Sequence, residues 1–264
     1  MAHANHDSLN AYQKDGVHYV QKIARLFGGY KKRSFEFLHV APGMNILDIG
    51  CGAGDDAIAL AGLVGPDGCI TGMDINDAML ETARQRALAA GVSVKFARGD
   101  AEKIPFDDNT FDRVRADRVF QHLDDLPSAI IECKRVAKPG AWITILDVDW
   151  ASLLIDSSDP FLTHNILHYE YSCQKNGSAG TRLYGLLKQA GLQGVEAYAE
   201  TACVTEWPIA SMIWGLEVFA MNAVEAGIIT KADALGWVSD LEKRDREGRF
   251  FAAITGIAVR GQKS

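Results

Sequence analysis

The stretch Ile46-Leu47-Asp48-Ile49-Gly50-Cys51-Gly52-Ala53-Gly54 decides how this chain reads. A short apolar run carries an acid and ends in three glycines at alternate positions. A helix-like stretch, Asp55 to Val64, follows at once. The next apolar run ends at Asp74, twenty residues after Gly54. Strand, glycine turn and helix, with an acid closing the second strand, make the layout of a nucleotide-like site at the top of a parallel sheet. Glycine lets the backbone turn sharply and lets a ligand approach with no Cβ in the way. Asp74 is placed to take both hydroxyls of a ribose. The plainer reading of the same residues is a glycine-rich turn with no ligand.

The residues also bear on which ligand. A dinucleotide fingerprint, G-x-G-x-x-G, seats a pyrophosphate on the helix N-terminus. Here the pattern is G-x-G-x-G, and Asp55 and Asp56 open the helix. Two carboxylates there repel a diphosphate by about 1 kcal/mol or more per charge pair. S-adenosylmethionine offers a ribose to Asp74, has no phosphate, and carries a sulfonium and an ammonium that tolerate the acids.

Composition narrows the class. The 264 residues are 48% hydrophobic, enough for one large α/β domain with appended elements. The net charge of −7 argues against a nucleic-acid or anionic-membrane surface, which needs clustered Lys and Arg. Lys31-Lys32-Arg33 is the one basic cluster, and three residues more often make a solvated helix face. The five cysteines, Cys51, Cys69, Cys133, Cys173 and Cys203, form no C-x-x-C pair, so reduced thiols in a cytoplasmic protein are expected. Met1 to Asn10 is polar and lacks a signal-peptide core. The longest apolar segment, Trp207 to Ala226, is broken by Glu217 and has helical periodicity, so no membrane span is expected.

Along the chain, Val17, Val20, Ala24 and Phe27 predict a helix over about 16–28, and a second holds Ser34 to Val40. Strands are expected at about 45–49, 69–73, 92–97, 111–115 and 142–148. Helices lie between them at about 54–64 and 77–90 and from Pro127 onward. The 77–90 helix has Asn76 or Asp77 as N-cap and Gly91 as its stop. That alternation implies right-handed crossovers and a parallel sheet. Beyond it come a helical stretch after Pro160, a helix from Thr181 to Ala190 and a strand from Val195 to Thr205. Two helices, Trp207 to Ala226 and Lys231 to Arg246, precede a last strand from Phe250 to Val259. With no repeat and no flexible linker, the expectation is a single domain over 1–264. Its lid elements are about 1–40, 150–179 and 207–247.

Four ordered motifs then carry a family resemblance: ILDIGCGAGD (46–55), GMDINDAML (72–80), RGDAEKIPFDDNTFD (98–112) and RVFQHLDD…RVAKPGAWI (118–143). Together they resemble the class I S-adenosylmethionine-dependent methyltransferases of the ubiquinone- and menaquinone-biosynthesis-like branch. The match covers about 40–150, and GRFFAAITG (248–256) fits that family's last, antiparallel strand. Ala141 stands where the family carries a second glycine after the proline. The resemblance implies an α/β fold, a Rossmann-like seven-stranded mostly parallel sheet with the last strand antiparallel and helices on both faces.

It also implies roles. Asp48 and the backbone of Gly50, Cys51 and Gly52 hold the methionyl part. Asp74 binds the ribose. Ile75 and Met79 pack on the adenine, where a thioether beside an aromatic face is favourable. Asp100, Ala101 and Glu102 meet the adenine edge. Ala116 and Gln121 face the methyl-donor side. For the cofactor carboxylate the candidate is Arg33, with Arg118 second. Each of these residues has an ordinary structural reading too: helix packing for Met79, a helix cap for Asp100, solvation for the arginines.

Methyl transfer is an in-line displacement on an activated donor, so the protein mainly aligns the reactants and excludes water. A base is needed only if the acceptor loses a proton. His122, beyond the fourth strand, is the candidate, against a purely structural role. His164 and His168 share a helix face, but no third ligand is evident and no metal is expected. Tyr12, Arg118, Trp150, Tyr169 and Trp214 are the candidates for the acceptor site. Trp150, Phe161, Tyr169, Tyr171, Trp207, Trp214 and Phe219 give the lid an aromatic character that suits a small apolar or aromatic metabolite. Core packing is the competing account of most of them. The expected partner is that small-molecule acceptor, with no nucleic acid, no membrane span and homodimer formation left open. The alternative function is a protein that binds S-adenosylmethionine, or a non-methylating catalyst on the same fold.

Overall fold

The computed structural model describes residues 31–264; Tyr12 and the expected helix over 16–28 lie outside the described residues. The chain falls into two compact units. One comprises Lys31–Val148, Ser178–Ala199 and Gly256–Ser264, and the other holds Asp149–Gly177 and Glu200–Thr255.

The first unit is built on the sheet. Strands β1 (Asn45–Ile49), β2 (Cys69–Asp74), β3 (Lys95–Arg98), β4 (Phe111–Asp117), β5 (Ala137–Ile155), β6 (Gln193–Val204) and β7 (Ala252–Gln262) lie in the order β3-β2-β1-β4-β5-β7-β6. Six strands run parallel and the last, β7, runs antiparallel. Helices α1 (Asp55–Val64), α2 (Asp77–Ala89) and α3 (Leu126–Val136) make the crossovers expected from the alternation. The register pairs Asp48 with Gly72 and with Arg115, so the ends of β1, β2 and β4 come level. Order reverses at β1, where β2 lies on one side and β4 on the other. That is the switch point at which an open parallel sheet presents a crevice.

Burial explains the layers. Ile46, Ala57, Leu60, Val64 and Ile70 pack with Leu38 of the helical segment 31–38. A larger cluster joins Leu47, Ile49, Val114 and Ile143 to Ile130, Cys133 and Val136 of α3 and to Leu183 and Leu187 of α5 (Ala179–Gln189). Burial of these two clusters, at about 25 cal/mol per Å² of apolar surface, stabilises the packing of the helices on the sheet.

The second unit is mostly helical: α4 (Pro160–Cys173), α6 (Trp207–Trp214), α7 (Leu216–Glu225) and α8 (Lys231–Arg246). One expected helix over 207–226 is in fact two. Gly215 adopts φ 72 and bends the pair by 58°. Among the described residues no single helix is long and apolar enough to cross a membrane. Trp237 Nε1 donates to Thr163 Oγ1 at 2.8 Å, linking α8 to α4. Arg244 of α8 pairs with Asp156 and Asp240.

Several strand boundaries also differ from expectation. β3 begins at Lys95 rather than Val92, because Val92 closes the end of α2 by donating to Ala87 O at 3.1 Å. β5 runs to Ile155, far beyond Val148, and β7 ends at Gln262.

Candidate active site

β1 is buried up to the glycine loop, and the chain then turns through Gly50 (φ 64), Gly52 (φ 52) and Gly54 (φ 82). The glycines are needed for different reasons. A Cβ on Gly50 would lie 2.3 Å from Val119 Cγ2, so this residue lets the loop close on the segment after β4. A Cβ built on Gly52 would meet no atom within 4 Å, so its missing side chain faces open space that a ligand can use.

Asp74 ties this loop to the next. Its Oδ2 accepts the Gly52 amide at 2.9 Å and its Oδ1 accepts the Asn76 amide at 2.9 Å. The Asn76 side chain caps α2 by accepting from Ala78 and Met79. Such a cap is worth about 1 kcal/mol. Beside the carboxylate, Ile75 (63% exposed) and Met79 (38% exposed) present apolar surface. The chain after β3 joins the same lacework. The Gly99 amide donates to Asp74 O at 3.1 Å, and Asp100 Oδ1 accepts the Glu102 amide at 2.9 Å. Glu102 Oε1 accepts the amides of Asp124 and Asp125, just before α3, while Ala101 is buried.

Beneath the loop lies a buried charge cluster. Arg115 of β4 is 1% exposed and donates to Asp48 Oδ1 at 3.0 Å, Asp56 Oδ2 at 2.9 Å and Asp117 Oδ2 at 3.1 Å. Lys31 Nζ lies 2.9 Å from Asp56 Oδ1. Burial pushes the Asp56 carboxyl up, but Arg115 and Lys31 together outweigh it and hold Asp56 well below the usual carboxylate range. For Asp48, burial prevails over the shared Arg115, with Asp56 and Asp117 adding to it, and its carboxyl is pushed up. Burial works against the Arg115 charge, yet its three carboxylates raise its affinity for the proton. Asp55 pairs with Arg86 at 2.6 Å. The two acids that open α1 are therefore compensated by cations, which weakens the sequence argument that their bare charge repels a diphosphate.

The ends of β4 and β5 complete the rim. Ala116 is buried. Arg118 adopts φ 56, a left-handed conformation costing about 1–3 kcal/mol that tends to mark functional sites. Its amide donates to Leu146 O at 2.8 Å. A 3₁₀ turn, Phe120–His122, follows. Within it Gln121 is buried and its amide donates to Asp147 Oδ2 at 2.9 Å, while His122 is exposed. Burial pushes Asp147 up to about 7, against the amides of Gln121 and Val148.

S-adenosylmethionine suits this donor set. Asp48 Oδ2 is buried with no hydrogen-bond partner, an acceptor that an ammonium would satisfy. The open side of Gly52 and the exposed Ile75 and Met79 leave room and apolar surface for a nucleoside. Arg33 is placed differently from its expected role. Its guanidinium sits 4.4 Å from the ring centroid of Tyr198 on the edge strand β6, and it is Lys31 of the same basic cluster that meets Asp56 below the loop. Burial pushes the Cys51 thiol up, with Asp48 and Asp74 adding to it, so Cys51 is no nucleophile.

The sheet unit thus gathers Asp48, Gly50, Cys51, Gly52, Asp74, Ile75, Met79, Asp100, Ala101 and Glu102 around three successive loops. The acceptor-site candidates Trp150, Tyr169 and Trp214 lie in the second unit. There Trp150 lines a cleft of about 380 Å³ together with His164, His168 and Tyr171. The two imidazoles stack at 5.6 Å. Trp214 and Phe219 are buried in that unit's core instead, as is Trp207, so core packing accounts for them. Tyr169 is not among the residues lining the cleft. No group of three or more metal-ligating side chains occurs among the described residues.

Residues 41–191 match the family described as a methyltransferase domain. The chain belongs to the S-adenosylmethionine-dependent methyltransferases. The match embraces every loop of the site just described. This methyltransferase is 32% identical over 251 residues to an uncharacterized 37.1 kDa protein in transposon TN4556 of Streptomyces fradiae, covering 94% of this chain and 71% of that one. It is 37% identical over 124 residues to a demethylmenaquinone methyltransferase of Staphylococcus aureus, covering 47% of this chain and 51% of that one. The latter similarity places the methyltransferase in the menaquinone-like branch of class I. The chain spans about half the length of that relative. Its fold is similar to that of the YcgJ protein of Bacillus subtilis, with a TM-score of 0.60 and 20% identity over 88% of this chain and 97% of that one. The cofactor of this methyltransferase is S-adenosylmethionine.

Sequence reading missed Arg115, Lys31 and Asp147. A signal was present for the first: an arginine between Val114 and Ala116, inside a strand expected to be buried on both faces, demands buried partners. Asp147 offered the same signal on β5.

Proposed function

We propose that this methyltransferase methylates a small, apolar or aromatic metabolite by in-line displacement. The cofactor, when bound, supplies a methyl group already activated on a sulfonium. The chain's own residues then have four tasks. Asp74 grips the ribose hydroxyls with the lone pairs left after it accepts Gly52 and Asn76. Asp48 and the backbone of Gly50, Cys51 and Gly52 take the methionyl end. Ile75 and Met79 cover the adenine, whose edge meets Asp100, Ala101 and Glu102. Ala116 and Gln121 form the floor toward the methyl, with Arg118 at its margin.

The observation that carries the cofactor half is the open space at Gly52 beside the tethered Asp74. The acceptor half rests on the cleft of the helical unit. Its walls are Leu153, Leu154, Ile155 and Leu167, with Trp150 and the stacked imidazoles as the recognition groups. Such walls favour a planar, weakly polar molecule. The lid elements of this reading are the expected segments at about 150–179 and 207–247. His122 serves as base for an acceptor that must lose a proton. Free cysteines at all five positions fit a cytoplasmic location.

The test is incubation with methyl-labelled S-adenosylmethionine and a panel of phenols, hydroquinones and small amines, read by mass spectrometry. A labelled product one methyl heavier is expected, with Trp150→Ala raising KM for the acceptor. His122→Ala should lower kcat and leave cofactor affinity unchanged. Methylation confined to highly polar acceptors, or a Trp150→Ala enzyme with unaltered KM, would overturn this assignment.

A further inference from the structure

The charge cluster below the glycine loop is uneven. Asp56 has Lys31 at 2.9 Å, and Asp117 has Arg118 Nε at 3.5 Å. Among the described residues Asp48 has only its share of Arg115, through Oδ1 at 3.0 Å, and its Oδ2 is buried without a hydrogen-bond partner. Among the described residues, one carboxylate of the cluster therefore lacks a cation of its own. A buried acceptor in that state costs about 1–3 kcal/mol, more when charged, unless something satisfies it.

We propose that Arg115 is a positioning residue for the cofactor: it pins Asp48 through one oxygen and reserves the other for the cofactor's α-ammonium, so that cofactor binding and Asp48 ionisation are coupled. This deepens the function proposed above and rests on Asp48 being the methionyl contact. Three features of the geometry support it. Arg115 is held from three directions, by β1, α1 and its own strand, so its fork cannot turn away. The ring of Phe35 lies 5.4 Å from the guanidinium and closes the cluster on that side. The charge of Asp48 is felt by the thiol of Cys51 in the glycine loop, which puts the carboxylate near the loop that lies above it.

The linkage has a definite sign. The groups acting on Asp48 are Arg115 and Asp117 from β4 and Asp56 from α1, with Lys31 reaching Asp56 from the segment 31–38. Burial leads, and without a ligand the Asp48 carboxyl is pushed up to about 7. An ammonium on Oδ2 favours the ionised form and expels the proton. Cofactor binding below neutral pH thus releases a proton, and affinity falls as pH falls. Asp117 competes for Arg115 and raises Asp48, so removing its charge moves the transition to lower pH.

The experiment is calorimetric titration of S-adenosylmethionine between about pH 5.5 and 7.5, below the pKa of about 7.7–8.0 of an ordinary α-amino group. Buffers of different ionisation enthalpy count the protons released. Wild type should bind about eightfold more weakly near pH 6 than near pH 7.5 and release about half a proton near pH 7. Asp117→Asn should bind more tightly than wild type near pH 6, a gain that a damaged fold does not produce. Arg115→Lys keeps the charge but loses the fork and should bind at least about tenfold more weakly. Flat wild-type affinity with no proton release overturns the coupling; so does an Asp117→Asn profile identical to wild type. Asp48→Asn separates the two layers. If it loses affinity while wild type is flat, Asp48 remains the contact and only the role of Arg115 falls. If it binds as wild type does at every pH, the contact and the coupling fall together.

Discussion

Asp74 and Gly52 are joined by a 2.9 Å hydrogen bond from the glycine amide to Oδ2, across the gap between the first two strands. The acid that ends β2 therefore has two tasks: it shapes the loop above β1, and it keeps lone pairs for a sugar. Asp74→Ala removes both at once. We expect S-adenosylmethionine affinity to fall at least about 100-fold, since charge-assisted hydrogen bonds contribute about 1.5–3 kcal/mol each. Circular dichroism should report an unchanged fold. Asp74→Asn keeps one acceptor and should fall between the two.

The neighbouring glycines separate packing from binding. Gly50→Ala brings a methyl against Val119 Cγ2, at 2.3 Å before relaxation, in a backbone with φ 64. It should lower the urea midpoint markedly, with a cost of about 1–3 kcal/mol. Val119→Ala in the same chain should restore part of that loss. Gly52→Ala meets no atom within 4 Å, so its stability cost is the left-handed backbone alone, about 1 kcal/mol. Its added methyl enters the ligand's space, and the larger effect should be on cofactor affinity.

The β1 loop, both of its neighbours and the strand–helix alternation beyond them were legible from sequence, because glycine spacing, strand-ending acids and alternation are local signals. Asn45–Ile49 and Lys231–Arg246 match expectation to the residue. What was not legible is non-local. Nothing near Arg115 in the chain announces that Asp48 and Asp56 will meet it. Gly215 inside an apolar helical run reads as a tolerated glycine, yet its positive φ splits the helix. The lid aromatics look alike in sequence, and burial alone separates Trp214 in the core from Trp150 at the cleft.

Asp147 gives the fold a pH dependence of known sign. Burial pushes its carboxyl up to about 7, so folding takes up a proton between the unfolded carboxylate range near about 4 and that value. Stability from this group is complete below the unfolded range and is lost as pH rises toward neutrality. Asp147→Asn mimics the protonated acid. Its stability relative to wild type, measured by urea unfolding, should improve steadily from about pH 4 to pH 7 and then level off. A constant difference across that window would contradict the assignment.

In the helical unit, Trp237 Nε1 and Thr163 Oγ1 form a buried bond at 2.8 Å. Trp237→Phe leaves Thr163 with its bond to Asp159 O, at 3.0 Å, and removes the indole donor. A loss of about 1–2 kcal/mol is expected from denaturant unfolding. Cofactor affinity, which depends on the sheet unit, should not change.

Amide hydrogen exchange, followed by mass spectrometry with and without saturating S-adenosylmethionine, tests the central placement most directly. The cofactor should slow exchange in the loop Ile49 to Gly54, in the segment Asp74 to Leu80 and around Gly99 to Glu102. Protection confined to other segments, or no protection at the β1 loop while the cofactor is bound, would contradict the account.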